Sequence, residues 1–316
     1  MTKWLILMIS PIGAISIKNW IMVWVMLEMS SFSFIILSKE SSTSESMIKY
    51  FLIQTISSIF ILLSIAIKMS SPMFKSMNWC MYSSFLLSVS LLLKSGMAPL
   101  HIWMPNVTKG LSWKSLSLFL TIQKMAPIII IISMLNSILM SSIILANSIF
   151  GTLSQLLTLN LKMLLTYSSV THSGWMLMGG ISKMSVFYIY LFIYSTITFQ
   201  MLYIAWNKNI LYLVQSPNNK SMMILLLSLG GIPPLMGFFP KWMTLISMVS
   251  EYKMLMICLI MLMMACLNIF IYTRIISSSI LKMPPYLTLK PKEDEFVSHI
   301  FVWNIITVPM LITISI

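Results

Sequence analysis

The sequence predicts an all-α polytopic membrane protein of about eleven transmembrane helices, arranged as two inverted five-helix repeats that each contain a broken helix, with one further helix at the end. Three observations carry this. Of the 316 residues, 58% are hydrophobic and 9% charged, with a mean hydropathy of +0.93, whereas a soluble domain carries about a quarter charged residues. Apolar residues recur in blocks of roughly 18 to 22 from Lys3 to Ile316, matching the ~20 residues at 1.5 Å rise that cross a bilayer core. Finally, glycine and proline interrupt two of those blocks at corresponding places.

Helices are preferred over strands on length. Runs such as FLIQTISSIFILLSIAI (51–67) and APIIIIISML (126–135) lack the alternation of a membrane β-barrel. Frequent isoleucine favours strand by propensity, but a lone segment in lipid must satisfy its own backbone. Lys3 and the apolar stretch up to Ile17 lack a small-x-small cleavage site and are followed directly by further apolar blocks, so they read as a first span rather than a secretory signal.

In order, the spans are expected over 4–18, 20–38, 49–68, 79–104, 113–135, 138–159, 161–180, 185–206, 221–249, 254–273 and 299–316. Lys18 and Asn19 divide the first two, and KESSTSESMIK (39–49) is polar enough to lie in water. NKNILYLVQSPNNK (207–220) is the next long connection and KPKEDE (290–295) the most polar. The chain is thus expected as a single integral membrane domain over 1–316, with a first repeat over 1–135, a second over 138–273 and a terminal helix over 299–316.

The fourth block contains KSGMAP (94–99) and the ninth LGGIPPLMGFFPKW (229–242). Overlaying Gly96 on Gly230 puts Pro99 on Pro233 and Pro105 one place from Pro240. Proline removes a backbone donor and glycine permits an unwound connection. Such breaks survive in lipid only where protein or water satisfies the freed groups, and a corresponding pair in two halves points to an inverted-repeat transporter.

Three charged residues lie too deep for the interface, and a fourth, Lys241, lies either as deep or at an interface that Pro240 and Trp242 beside it would also suit. Glu28 sits mid-block in WIMVWVMLEMSSFSFIILSK, Lys94 just before the first break, Lys124 within FLTIQKMAPIII, and Lys241 after the second break. A charge at mid-membrane costs roughly 2.5–3.5 kcal/mol on insertion scales, so such groups pair or line a hydrated path. Burial disfavours an ammonium and a nearby carboxylate favours it. A lysine held between these influences exchanges protons when the carboxylate moves. Three such lysines and one glutamate therefore read as a proton relay. His172 and Tyr167, in LLTYSSVTHSGWMLMGG, lie among small residues that allow close helix packing and polar ones that could hold water; His172 reads either as a further relay candidate or as a histidine hydrogen-bonded between helices. His101 follows the first break by two residues, and His299 follows an acidic cluster.

The residues alone leave three readings open: a proton-translocating subunit, a stand-alone cation/proton antiporter, or a structural subunit with paired buried charges. The net charge of +13 rests on scattered lysines and one arginine, Arg274, which suits interfacial snorkelling rather than nucleic acid. Cys80, Cys258 and Cys266 have no metal-ligand spacing, and neither a phosphate loop nor a nucleophile elbow occurs. No metal or cofactor is expected in this chain.

At VWVMLEMSSFSFI (23–35), LLLKSGMAPLHIWMPNV (91–107), TIQKMAP (121–127), LLTYSSVTHSGWM (164–176) and LSLGGIPPLMGFFPKW (227–242), the chain resembles the chain 2 family of mitochondrial NADH–ubiquinone oxidoreductase, of invertebrate, arthropod-like type. These are antiporter-like membrane-arm subunits of respiratory complex I. The resemblance covers most of residues 20–245.

It implies an antiporter-like fold in the mitochondrial inner membrane, surrounded by lipid and by other membrane-arm and accessory subunits, and no nucleic-acid partner. It further implies that Glu28 modulates Lys94, that Lys124 is the central relay lysine, and that Lys241 serves the second broken helix. NADH, FMN, iron–sulfur clusters and ubiquinone are then implied in partner subunits, whose redox chemistry drives proton translocation. One departure stands out: Asn106 and Lys109 occupy positions where the family often has acidic residues, which bears on any proton entrance there.

Overall fold

The computed structural model describes residues 2–39, 41–70, 77–134, 137–158, 160–208, 220–250 and 255–281. Their helices are α1 (Thr2–Ser16), α2 (Trp20–Ser38), α3 (Ser44–Ser70), α4 (Met77–Ser95), α5 (Trp103–Thr108), α6 (Trp113–Leu120) and α7 (Ile122–Met134). There follow α8 (Ser137–Leu156), α9 (Leu161–Ser182), α10 (Met184–Asn207), α11 (Lys220–Gly230), α12 (Phe238–Ser250) and α13 (Leu255–Leu281). The all-helical expectation holds.

The expectation of eleven spans does not. Among the described residues, six helices are long and apolar enough to cross a membrane: Trp20–Ser38, Ser44–Met69, Trp113–Met134, Leu139–Leu156, Met184–Asn207 and Leu255–Ser279. Three more, Lys3–Ser16, Met81–Ser95 and Lys220–Gly230, are apolar but shorter. Apolar length along a sequence is not helical length. Gly96 and Pro99 divide the fourth block into α4 and α5, and Gly231 with the prolines after it divides the ninth into α11 and α12. The seventh block does form a full helix, α9, but its serines, threonines and glycines dilute its apolar character. Residues 299–316 lie outside the described residues, as does His299.

Local chemistry explains where helices start. Asn19 accepts from Ile21 N at 3.2 Å to cap α2, Ser112 from Ser115 N at 3.3 Å to cap α6, and Asn160 from Lys162 N at 3.1 Å to cap α9. Mid-helix serines are satisfied by their own helix. In α2, Ser30, Ser31, Ser33 and Ser38 each donate to a carbonyl three or four residues back, at 2.6–2.9 Å. This back-bonding lets hydroxyls sit in an apolar environment without marking a ligand site.

Contacts divide the chain into two compact units, Met1–Asn147 and Ser148–Ile316. In the first, α1 packs on α2, α3 on α4 and α4 on α7. Phe34, Tyr50, Trp103 and Phe119 form a ring cluster with centroids 5.0–6.3 Å apart, tying α2, α3, α5 and α6 together. Edge-on and tilted contacts of this kind each contribute about 0.5–1.5 kcal/mol beyond area burial. They fix α5, the helix that resumes after the first break.

In the second unit α9 packs against α10 and α12, and α11 against α10 and α13. Lipid supplies no hydrophobic drive for helices to associate, so close approach of small residues does the work. A Cβ on Gly179 would lie 3.1 Å from Thr244 Cγ2, and one on Gly151 would lie 3.1 Å from Thr171 N.

Candidate functional site: two broken helices and their buried charges

The first break is a left-handed helix stop. Gly96, at φ +65°, donates to Leu93 O at 3.2 Å, and Met97 donates to Leu92 O at 3.1 Å. This Schellman pattern closes the carbonyls of Leu92 and Leu93 and leaves those of Lys94 and Ser95 outside the helix's own ladder. The Lys94 carbonyl accepts from Gln54 Nε2 at 3.3 Å. Beyond the turn, Ala98 N donates to Asn147 Oδ1 at 2.7 Å.

The second break repeats the pattern. Gly231, at φ +84°, donates to Ser228 O at 3.0 Å, and Ile232 donates to Leu227 O at 3.4 Å. Here the carbonyls left over belong to Leu229 and Gly230, and Lys241 Nζ donates to both, at 3.0 and 2.7 Å. An ammonium at the C-terminal end of a half-helix also meets the negative end of its dipole. Gly237 approaches so closely that a Cβ there would overlap the Ser228 carbonyl.

These hydrogen bonds correct the register expected from sequence. The left-handed residue of the second break is Gly231, not Gly230. Moving the overlay by one residue carries Gly96 onto Gly231, Pro99 onto Pro234 and Pro105 onto Pro240. The adjacent glycines of LGGIPP made the two overlays indistinguishable by composition; backbone handedness separates them.

The buried charges fall as follows. Lys94 Nζ donates to Glu28 Oε1 at 2.8 Å, and both side chains are buried, at 7% and 9% residue exposure. Tyr50 lies within electrostatic range of Glu28. Lys124 is buried on α7, with His101 within electrostatic range. Lys241 is buried at the second break.

His172 on α9 shares a hydrogen bond of 2.8 Å with the Tyr190 hydroxyl, and its ring lies 5.1 Å from that of Tyr194. A cavity of about 10 Å³, enough for one water molecule, is lined by His172, Tyr190, Tyr194, Leu229 and Pro240 among others. It places His172 beside the second break. Tyr167 is only half-buried, and Asn106 and Lys109 are exposed.

Sequence reasoning did not single out Gln54, Asn147, Tyr190 or the buried pair of Gln155 and Tyr272, whose side chains bond at 3.0 Å. A signal existed for the first two: an amide inside an apolar run, as in FLIQTISSIF and IILANSIF, has to find a buried partner. Among the described residues, no three His, Cys, Asp or Glu side chains come together as a metal site requires, and Cys258 and Cys266 are free thiols.

Apolar helices broken by paired glycine-proline turns, with buried ammonium groups at the breaks and one of them joined to a mid-helix carboxylate, define an antiporter-like multi-pass membrane subunit. The chain belongs to the NADH:quinone oxidoreductase/Mrp antiporter transmembrane family, which residues 17–271 match. It is 33% identical over 287 residues to NADH-ubiquinone oxidoreductase chain 2 of Anopheles gambiae, covering 86% of this chain and 83% of that one. The fold also resembles that of a chain in respiratory complex I from Thermus thermophilus with bound aureothin, with TM-score 0.77, 19% identity and coverage of 94% and 74%. A chain of the membrane-bound sulfane sulfur reductase, an archaeal respiratory membrane complex, superposes with TM-score 0.82 at 15% identity, covering 98% and 72%.

Proposed function

We propose that this chain is a proton-translocating membrane-arm subunit of a respiratory NADH:ubiquinone oxidoreductase, resident with its partner subunits in the mitochondrial inner membrane. The observation that carries the reading is the buried 2.8 Å pair of Glu28 and Lys94 at the end of a half-helix. In low dielectric such a pair responds strongly to nearby charge. Redox chemistry in other subunits, where NADH is oxidised and ubiquinone reduced, shifts this pair. The change passes to Lys124 and then Lys241, with His172 beside the second break as a further carrier. This chain contributes protonatable side chains and no redox centre. The two breaks belong to two repeats, over 1–135 and 138–273.

The test is Lys124→Met in the assembled complex, reconstituted in liposomes. Protons moved per electron should fall while NADH oxidation by the complex and its assembly persist. An unchanged proton-to-electron ratio would remove Lys124 from the path.

A further inference from the structure

We infer that Gln54 is a positioning residue for the Glu28–Lys94 pair, holding the Lys94 backbone from α3 so that its side chain meets the carboxylate. The two breaks end in the same stop and free the same two carbonyls. At the second, the Lys241 ammonium takes both. In the corrected register the counterpart of Lys241 is Asn106, which is exposed on α5. A different residue therefore serves the first break, and Gln54 does so from within the unit: it is 4% exposed, and its amide reaches the Lys94 carbonyl at 3.3 Å.

The residue it grips is the one whose ammonium reaches Glu28. A lysine has a long stem, so the point its ammonium reaches depends on where its Cα is held. Gln54 supplies that hold across helices.

The chemistry of the two caps differs in a way that matters for a relay. An amide N–H donates whatever the proton occupancy of its surroundings, whereas the grip of Lys241 on its two carbonyls is strongest when it carries its proton. The first break is thus clamped by a neutral group while the charge on Lys94 changes, and the second is clamped by the titrating group itself. This inference rests on the proposed proton role of the Glu28–Lys94 pair, but its geometric half stands apart from it.

The experiment uses the assembled complex carrying Gln54→Leu, Glu28→Gln or both, with two readouts: the Glu28–Lys94 separation by electron cryomicroscopy, and protons moved per electron in liposomes. Losing one hydrogen bond to a buried carbonyl corresponds to about a tenfold change in the population of the paired state. In Gln54→Leu, the pair should loosen: the mean Glu28–Lys94 separation should lengthen from 2.8 Å, and a Lys94 position beyond about 4 Å, outside ion-pair range, should gain about tenfold in population. Pumping should drop, and adding Gln54→Leu to Glu28→Gln should cause no further loss. A separation that stays at 2.8 Å, or a full additional loss in the double variant, overturns the assignment. Normal pumping by Glu28→Gln alone would instead sink the proposed function, while the separation in Gln54→Leu still decides what Gln54 does. Should leucine block assembly, Gln54→Met, flexible and apolar, gives the same reading.

Discussion

Lys94 Nζ and Glu28 Oε1 lie 2.8 Å apart, joining the last turn of the half-helix α4 to the middle of the intact helix α2. Removing one member of a buried pair leaves an uncompensated charge and costs about 3–5 kcal/mol, whereas replacing both with neutral groups is far milder. Lys94→Met should therefore lower the amount of complex assembled, and Glu28→Gln combined with Lys94→Met should restore much of it. Native gel separation with in-gel NADH oxidation measures this. Equal yields from the single and double variants would show that the pair does not set stability.

Much of this pair was legible in sequence, because a glutamate with apolar residues on both sides and a lysine at a glycine-proline break each need a partner. Its geometry was not. Which helix meets which is decided by packing, and α2, α3 and α4 come together through contacts that apolar periodicity does not encode. The number of spans was misread for a related reason: hydropathy adds α4 to α5 and α11 to α12, although a left-handed glycine ends the first member of each pair. Gln54 was visible as an amide in an apolar run, but its partner is a backbone carbonyl, which every residue has.

Gly231 combines a left-handed backbone with a tight neighbour. A Cβ there would lie 3.0 Å from both Cδ and Nζ of Lys241, and a non-glycine residue at such φ costs about 1–2 kcal/mol before any contact is counted. Gly231→Ala should push the ammonium off the Leu229 and Gly230 carbonyls and lower proton translocation in the manner of Lys241→Met. Gly230→Ala should be much milder, since its nearest neighbour would be Tyr272 Cδ2 at 3.3 Å and its backbone is not left-handed. If proton translocation in liposomes falls equally in both variants, the corrected register is wrong.

His172 and Tyr190 share one hydrogen bond in a buried setting. Tyr190→Phe removes the hydroxyl and leaves the ring nitrogen to the one-water cavity, at a cost of about 1–3 kcal/mol if no water replaces it. The variant should show a small loss of thermal stability and a larger loss of pumping, whereas Tyr188→Phe, on the exposed side of α10, should change neither. Thermal scans of the solubilised complex and liposome pumping separate the two effects. Intact pumping in Tyr190→Phe would confine the His172–Tyr190 bond to structure.

Lys241 completes the cap of α11, taking the two carbonyls that the turn at Gly231 leaves over. The last carbonyls of a helix need donors when water is absent, and here two of them share one ammonium from the start of α12. Lys241→Met therefore does more than remove a proton carrier: it uncaps the half-helix. Lys241→Arg keeps the donors and the charge but holds its proton throughout. Hydrogen exchange across 228–239 in the assembled complex should rise in Lys241→Met and stay near that of the unaltered protein in Lys241→Arg, while proton translocation should fall in both. The two variants thus separate capping from protonation. Exchange that is unchanged in Lys241→Met would show that the break is held by its packing, as where Gly237 sits against Ser228, and that the two carbonyls do not depend on the lysine.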